Sequence, residues 1–282
     1  VSKPRNIIEA LRGKVPEEHL AKFRRSFDIV GDIMVFQPTE EMEAYKKELV
    51  EAIRQVHPKI RVVLAKKTPL EGETRVAEYE TWYSRGNCET IHKEYGCIYY
   101  LDITKVFFTP RLSTERNRVC SLVKDGETVC DLFAGVGPFS ILISKKRRPK
   151  IVYACDINEY AYSYLRRNII ANKVGDKVKA FFGDAREIAK EKINKKCDRV
   201  IMNLPKSAHL FLDAAREAIN PKGGVIHLYI FRREEENFEE KINSIKQKLR
   251  ESGFSSFEIV FSKKVREIGP KEYNEVLDIV VK

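Results

Sequence analysis

Residues 128–143, TVCDLFAGVGPFSILI, restrict the fold more than any other stretch of the chain. Val129, Cys130, Leu132 and Phe133 form a short apolar run with β-branched and aromatic character, which reads as a buried strand. The run ends at Ala134-Gly135-Val136-Gly137, where the backbone can turn without Cβ clashes. Pro138 suits the first turn of a helix, because its missing N–H has no intrahelical partner there. Strand, tight turn and helix N-terminus together bring backbone amides close to a ligand. The dinucleotide fingerprint asks for a third glycine near position 140, where Ser140 stands, and Asp131 lies ahead of the turn. A carboxylate in that place disfavours a pyrophosphate and suits a cationic or amino-acid-bearing ligand; S-adenosylmethionine is both. An ordinary strand-to-helix turn fits the same residues.

The next acidic position favours the ligand. Residues 151–157, IVYACDI, read as a second buried strand ending at Asp156, 25 residues after Asp131. The ribose-binding acid of a βαβ unit falls roughly 20 residues beyond the glycine turn, so Asp156 is placed to hold both ribose hydroxyls. It also stands where a helix cap would, since Asn158 and Glu159 open the helix that follows.

Strand and helix alternate from Glu127 onward. Strands are predicted at 128–133, 151–156, 178–182, 198–203, 224–231, 256–262 and 274–281, with helices near 137–145, 159–172, 185–191, 207–219 and 236–252. The fold class is α/β, a doubly wound, mostly parallel Rossmann-like sheet whose last two strands form an antiparallel edge hairpin. Ligands in such sheets bind at the carboxyl ends of the central strands, where Asp131, Asp156, Asp184 and Asn203 all fall. Asp184 can accept from an adenine amino group or cap the next helix. Asn203 offers a donor and an acceptor to a planar substrate edge, and Pro205 stiffens the turn after it.

The first hundred residues mix helix and strand in a smaller α/β module, giving predicted domains at 1–108 and 109–282. Residues 1–25 read as helical, and 27–36 as a hairpin or one bulged strand about Gly31-Asp32. A single amphipathic helix is predicted over 40–57, with Met42, Tyr45, Leu49, Ile53 and Val56 on one face, followed by a strand at 61–65. Arg75, Glu78, Tyr79, Trp82 and Tyr83 suit a solvated hairpin face, and paired strands are expected about Tyr95-Gly96. Pro110 stops a strand, and Ser113 or Thr114 can cap a helix with Glu115 and Arg116 in its first turn. The helix field there keeps Glu115 ionised, as a base must be.

With 43% hydrophobic and 33% charged residues the chain has the composition of a globular protein, without an apolar run of membrane-spanning length or a secretory signal at its start. Six cysteines show no C-x-x-C pair and no metal spacing with the five histidines, which reads as buried thiols in a reducing cytosol. A net charge of +11 suits a polyanionic partner, although the basic residues are spread along the chain.

Taken together, DLFAGVGPFSI, YACDINEYA, FGDARE and VIMNLPKSAHLFL resemble the cofactor domain of the archaeal and eukaryotic tRNA (guanine-37-N1)-methyltransferases. GETRVAEYE and ETIHKEYGCIYYLDITKVFFTPRLSTER carry the resemblance through the N-terminal module, so that it covers nearly the whole chain. NLPK at 203–206 is its most specific part, since the sister family that transfers an aminocarboxypropyl group from the same cofactor departs there and at PRLSTER. The resemblance implies a class I methyltransferase sheet, S-adenosylmethionine as cofactor, and the tRNA anticodon stem-loop with guanosine 37 as substrate. It further implies Glu115 as general base for the guanine N1 proton and Arg75 as the group stabilising charge on O6. Asn203 and Pro205 would shape the guanine pocket. Arg116, Gly135, Asp156, Ile157, Asp184, Ala185, Asn203 and Leu204 would hold the cofactor, flanked by Phe107 and Phe133. Position 107 departs from relatives with tyrosine, and the chain is expected to be a short form without the extra N-terminal domain of longer archaeal relatives. A cytoplasmic monomer without metal or membrane partner is expected. An aminocarboxypropyl transferase and a non-catalytic cofactor-binding RNA module stay open as alternatives, as does activity on a tricyclic guanosine derivative.

Overall fold

A computed structural model describes residues 4–24, 26–68, 77–269 and 271–282, which cluster into two compact units. One comprises Val1–Lys93 with Tyr100–Pro110, the other Glu94–Tyr99 with Arg111–Lys282.

In the N-terminal unit α1 (Ile7–Leu11) and α2 (Glu17–Leu20) precede β1 (Asp28–Val30) and β2 (Ile33–Phe36). The two strands pair antiparallel about Gly31, whose φ of +59° makes the turn, so residues 27–36 are a hairpin rather than a bulged strand. Next come α3 (Glu40–Ala44), α4 (Lys46–Val56), β3 (Val62–Lys66) and β4 (Tyr79–Ser84), and the sheet order is β1-β2-β3-β4. Because β2 and β3 are parallel, the two helices serve as their crossover.

The predicted single helix over 40–57 is two. Tyr45 leaves the helical region at φ −113°, ψ 34°, and its ring packs edge-on against His19. Met42, Leu49 and Ile53 still share the buried face. Trp82 also departs from expectation: it is buried in this unit's core, edge-on to Phe36, with its indole N–H donating to Glu80. Alternation along β4 sends Trp82 inward while Thr81 stays exposed, so only part of the predicted polar face is solvated. The strands β5 (Glu89–Glu94) and β6 (Cys97–Asp102) pair about Tyr95-Gly96 as expected.

The C-terminal unit opens with α5 (Ser113–Leu122), β7 (Thr128–Asp131), α6 (Pro138–Lys146), β8 (Ile151–Asp156), α7 (Glu159–Ala171), β9 (Val178–Phe182) and α8 (Ala185–Ile188). It continues through β10 (Arg199–Met202), α9 (Leu212–Ala218), β11 (Gly224–Arg233), α10 (Phe238–Glu251), β12 (Phe257–Gly269) and β13 (Glu272–Val281). The sheet runs β12-β13-β11-β10-β7-β8-β9. Its five strands from β11 to β9 are parallel, while β13 is antiparallel to both neighbours, as the predicted edge hairpin requires. The chain winds outward from β7 to β8 and β9, then returns to lay β10 and β11 on the other side. The switch point therefore lies beside β7, and the glycine turn sits at its carboxyl end.

One predicted cap is absent. Leu112 precedes α5 without a side-chain cap, and Ser113 is already the first helical residue. The 3₁₀ turn Pro110–Leu112 feeds directly into the helix and leaves no extended residue to carry a capping hydroxyl. Glu115 nonetheless lies in the first turn. All six cysteines are free thiols, five of them buried. No helix among the described residues is long and apolar enough to cross a membrane.

Candidate active site

The carboxyl ends of β7 and β8 are tied together by the glycine turn. Gly135 donates its amide to Asp156 Oδ2 at 2.7 Å, and the Ala134 amide donates to the Cys155 carbonyl at 2.9 Å. Gly135 and Gly137 have φ of +57° and +90°. A Cβ on Gly137 would come within 2.5 Å of Leu165 Cδ1 and 3.1 Å of Ile141 Cδ1, so both backbone conformation and space require glycine there. Pro138 then opens α6, as the sequence suggested.

Asp131 is wholly buried beneath this turn. Ser140 Oγ donates to its Oδ2 at 2.9 Å, whereas Oδ1 is buried without a hydrogen-bond donor. Burial, reinforced by the charge of Asp156, raises its carboxyl to about 7 against the opposing bond from Ser140. A buried acceptor lacking its donor is what a cationic ligand group would complete.

Asp156 ends β8 with each oxygen accepting one amide: Oδ2 from Gly135 and Oδ1 from Asn158 at 2.9 Å. The cap of α7 is Asn158 rather than Asp156, with Oδ1 accepting from the amides of Tyr160 and Ala161. Ile157 beside it is exposed. Beyond β9, Gly183 donates to the Asp156 carbonyl at 3.1 Å, and Asp184 caps α8 by accepting from Arg186 and Glu187. Ala185 is buried in the first turn of that helix. Phe133 is half-buried and meets Phe211 edge-on. At the end of β10 Asn203 is buried, Leu204 and Pro205 are half-buried, and the Phe231 amide donates to the Pro205 carbonyl, pinning the turn to β11.

These residues fit the two ends of S-adenosylmethionine. Asp131 has a buried acceptor that an ammonium group would complete, and Asp156 sets a carboxylate at the end of β8 where a ribose would be held, with glycine at the turn between them.

Glu115 lies in α5 with only 4% of its surface exposed. Arg118, one turn on, donates Nε to its Oε2 at 2.9 Å and Nη2 to its Oε1 at 2.8 Å, and Tyr229 of β11 donates its hydroxyl to Oε1 at 2.7 Å. The Tyr229 ring in turn lies 6.0 Å from that of Phe139, in the first turn of α6 after the glycines. Arg118 also reaches Asp278 of β13, at 2.7 and 3.1 Å. Asp278 is bonded to His227 Nδ1 at 2.6 Å, and His227 Nε2 meets Arg199 Nη1 at 2.8 Å. Arg199 is answered by a fork to Glu127. Burial alone would raise the Asp278 carboxyl, but the bonds from His227 and Arg118 overcome it and hold the group at about 2. Burial lowers His227, against the pull of Asp278.

Arg118, Tyr229, Asp278 and His227 went unremarked in the sequence, although each leaves a trace there. Glu115 and Arg118 have helical i,i+3 spacing, and His227 and Asp278 interrupt the apolar strands VIHLYIF and VLDIVV. Arg116 is buried, with its guanidinium forked onto Glu94 at 2.8 and 2.6 Å. Phe107 groups with the N-terminal unit and is half-buried, and Arg75 lies outside the described residues.

Residues 90–257 match the family described as the TRM5/TYW2 methyltransferase domain, and residues 7–84 the TYW2 N-terminal domain. The chain belongs to the TRM5/TYW2 methyltransferase family. It is 42% identical to the tRNA (guanine(37)-N(1))-methyltransferase Trm5b of Pyrococcus abyssi, over 95% of this chain and 78% of that protein. Identity to Trm5b of Methanocaldococcus jannaschii is 36%, over 100% of this chain and 78% of the relative. Among solved structures of the TRM5/TYW2 family, the complex of aTrm5 and tRNALeu matches with a TM-score of 0.86 and 34% identity, covering 100% of this chain and 80% of that one. The sheet at the C-terminal unit is therefore that of a TRM5/TYW2 methyltransferase, as its motifs implied.

Proposed function

We propose that this chain transfers a methyl group from S-adenosylmethionine to N1 of guanosine 37 in the tRNA anticodon loop. The observation that carries this reading is a buried, oriented carboxylate, Glu115, in the same unit as a cradle with an unfilled acid at Asp131. The names of the two Trm5b relatives support the nucleotide, the position and N1 as the acceptor. The tRNA complex of the structural neighbour supports tRNA as partner, and the net charge of +11 is consistent with it.

Bound S-adenosylmethionine supplies an electrophilic methyl on sulfur. Asp131 would hold its ammonium and Asp156 its ribose hydroxyls, with Gly135 leaving room at the turn. Ile157, Asp184, Ala185, Leu204 and Phe133 would line the remainder, with Arg116 and Phe107 assigned by family resemblance. Guanine N1 carries a proton at neutral pH and becomes nucleophilic as that proton leaves. Glu115 Oε1 already accepts two hydrogen bonds and Oε2 one, so Oε2 has the open lone pair for the N1 proton. Glu115 would take the N1 proton as its O–H bond forms, leaving the N1 electron pair free for the methyl that bound S-adenosylmethionine would supply. Arg75 stabilises charge at O6, and Asn203 with Pro205 orients the base edge. A general base of this kind contributes about 10²- to 10⁴-fold. The N-terminal unit is assigned to tRNA recognition. A guanosine in the anticodon loop is already largely unpaired, so presenting it costs a few kcal/mol or less, roughly.

Nucleoside mass spectrometry on an unmodified tRNA transcript, incubated with protein and S-adenosylmethionine, tests the reading. One added methyl, mapped to residue 37 as 1-methylguanosine, is expected, and Glu115→Gln should abolish it while leaving cofactor binding intact. An aminocarboxypropyl adduct on a wybutosine precursor in its place would transfer the chain to the sister activity. Absence of both products would make it a binding module.

A further inference from the structure

Glu115 does not stand alone on α5. Arg118 spans two carboxylates, Glu115 on its own helix and Asp278 on β13, with four contacts between 2.7 and 3.1 Å. A guanidinium facing Glu115 alone would hold that carboxylate in a tight ion pair and weaken it as a base. Here a second carboxylate shares the same cation.

The remaining partners protect that division of charge. Arg199 can only donate, so His227 Nε2 accepts from it and Nδ1 carries the hydrogen given to Asp278. His227 is thus neutral, and the charge of Arg199 is answered by Glu127. Asp278 keeps its full negative charge for Arg118. On the other flank, the Tyr229 hydroxyl fills Oε1 and leaves Oε2 with a single donor. Among the described residues, the titratable and charged groups facing this cluster are Arg118 from α5, Tyr229 and His227 from β11, Asp278 from β13, Arg199 from β10 and, behind Arg199, Glu127 just before β7. Phe139 of α6 touches the Tyr229 ring and Phe261 of β12 stacks on Arg118, and neither carries charge.

We propose that Asp278 and Tyr229 are positioning residues for proton abstraction, dividing charge and hydrogen bonds around Glu115 so that Oε2 stays open and basic. The proposal rests on the reading of Glu115 as the base. When Oε2 receives the N1 proton, Glu115 becomes neutral and Arg118 retains Asp278 as partner. No uncompensated charge is then stranded in the interior, a situation that is otherwise strongly unfavourable.

The two residues act with opposite sign, which separates positioning from mere scaffolding. Asp278→Asn gives the whole Arg118 charge to Glu115 and makes it a weaker base. Tyr229→Phe keeps the ring and removes one donor, making Glu115 a stronger base. Single-turnover methyl transfer, measured from pH 5 to 9 at saturating tRNA and S-adenosylmethionine, reads both. For Asp278→Asn the acid limb should move down by about one pH unit and the plateau rate fall by up to about tenfold. For Tyr229→Phe the acid limb should move up by about half a unit. Cofactor Kd should stay within about twofold in both, since neither residue belongs to the cradle. Limbs that stay at the wild-type pH in folded variants, or that move in the same direction, overturn the proposal. If Asp278→Asn does not fold, an unmoved limb in Tyr229→Phe overturns it alone. Glu115→Gln distinguishes the two levels: full activity in that variant removes the base itself, whereas an inactive Glu115→Gln beside unshifted limbs removes only the positioning role.

Discussion

Replacing Asp131 by asparagine should make the cofactor-free protein more stable and the cofactor bind less tightly. Its carboxyl lies at about 7 instead of 3.8, chiefly through burial. The native state therefore holds the proton more tightly than the unfolded chain does. The contribution of this group to stability is full below pH 3.8, declines as the pH rises toward 7, and is lost above 7. Three pH units at 1.36 kcal/mol each amount to about 4 kcal/mol, an upper bound for the cost of the buried charge at pH 8. Asparagine does not ionise and escapes that cost, although its amide needs partners that the site supplies only in part. At roughly 2–4 °C per kcal/mol for a unit of this size, the variant should melt up to about 15 °C above wild type at pH 8, and the difference should shrink toward pH 4. Calorimetry at several pH values without ligand measures it. The same substitution leaves a bound ammonium without its counter-charge, costing about 3 kcal/mol or more, at least a hundredfold in Kd by titration. A melting difference that is the same at pH 5 and pH 8 would refute the assignment of a strained buried charge. Unchanged affinity for S-adenosylmethionine would refute the ammonium.

Gly137→Ala places a Cβ against Leu165 at a φ of +90°, and it should lower stability by about 1–3 kcal/mol and weaken cofactor binding, measured by urea unfolding and calorimetric titration. Asn158→Ala removes the α7 cap and should cost about 0.5–2 kcal/mol by urea unfolding, while the backbone amide of residue 158 still donates to Asp156.

The sheet was legible because its strands are continuous apolar runs separated by glycine, proline and asparagine signals, and every predicted strand from residue 128 onward is present. The antiparallel edge followed from the short loop before β13. Local signals failed where packing decided. Tyr45 breaks a helix that periodicity draws as continuous, and Trp82 turns inward from a segment rich in polar neighbours. At the cradle, Asp131, Gly135, Gly137 and Asp156 stand together because one strand–turn–helix stretch and the end of the next strand hold them. The surroundings of Glu115 were not legible in the same way. Arg118 was in plain view three residues on, but Tyr229 and Asp278 come from β11 and β13, and only the register of those strands brings them beside α5. A lone polar residue in an apolar strand signals that a partner exists without naming it.

That register has a consequence for how the protein matures. Arg118 and Asp278 are 160 residues apart, so a ribosome releases β7, β8 and β9 long before the strand that shares the Arg118 charge. On the proposed reading of Glu115, the surroundings of the base are complete only when the sheet is, because the last strand laid against β11 carries Asp278.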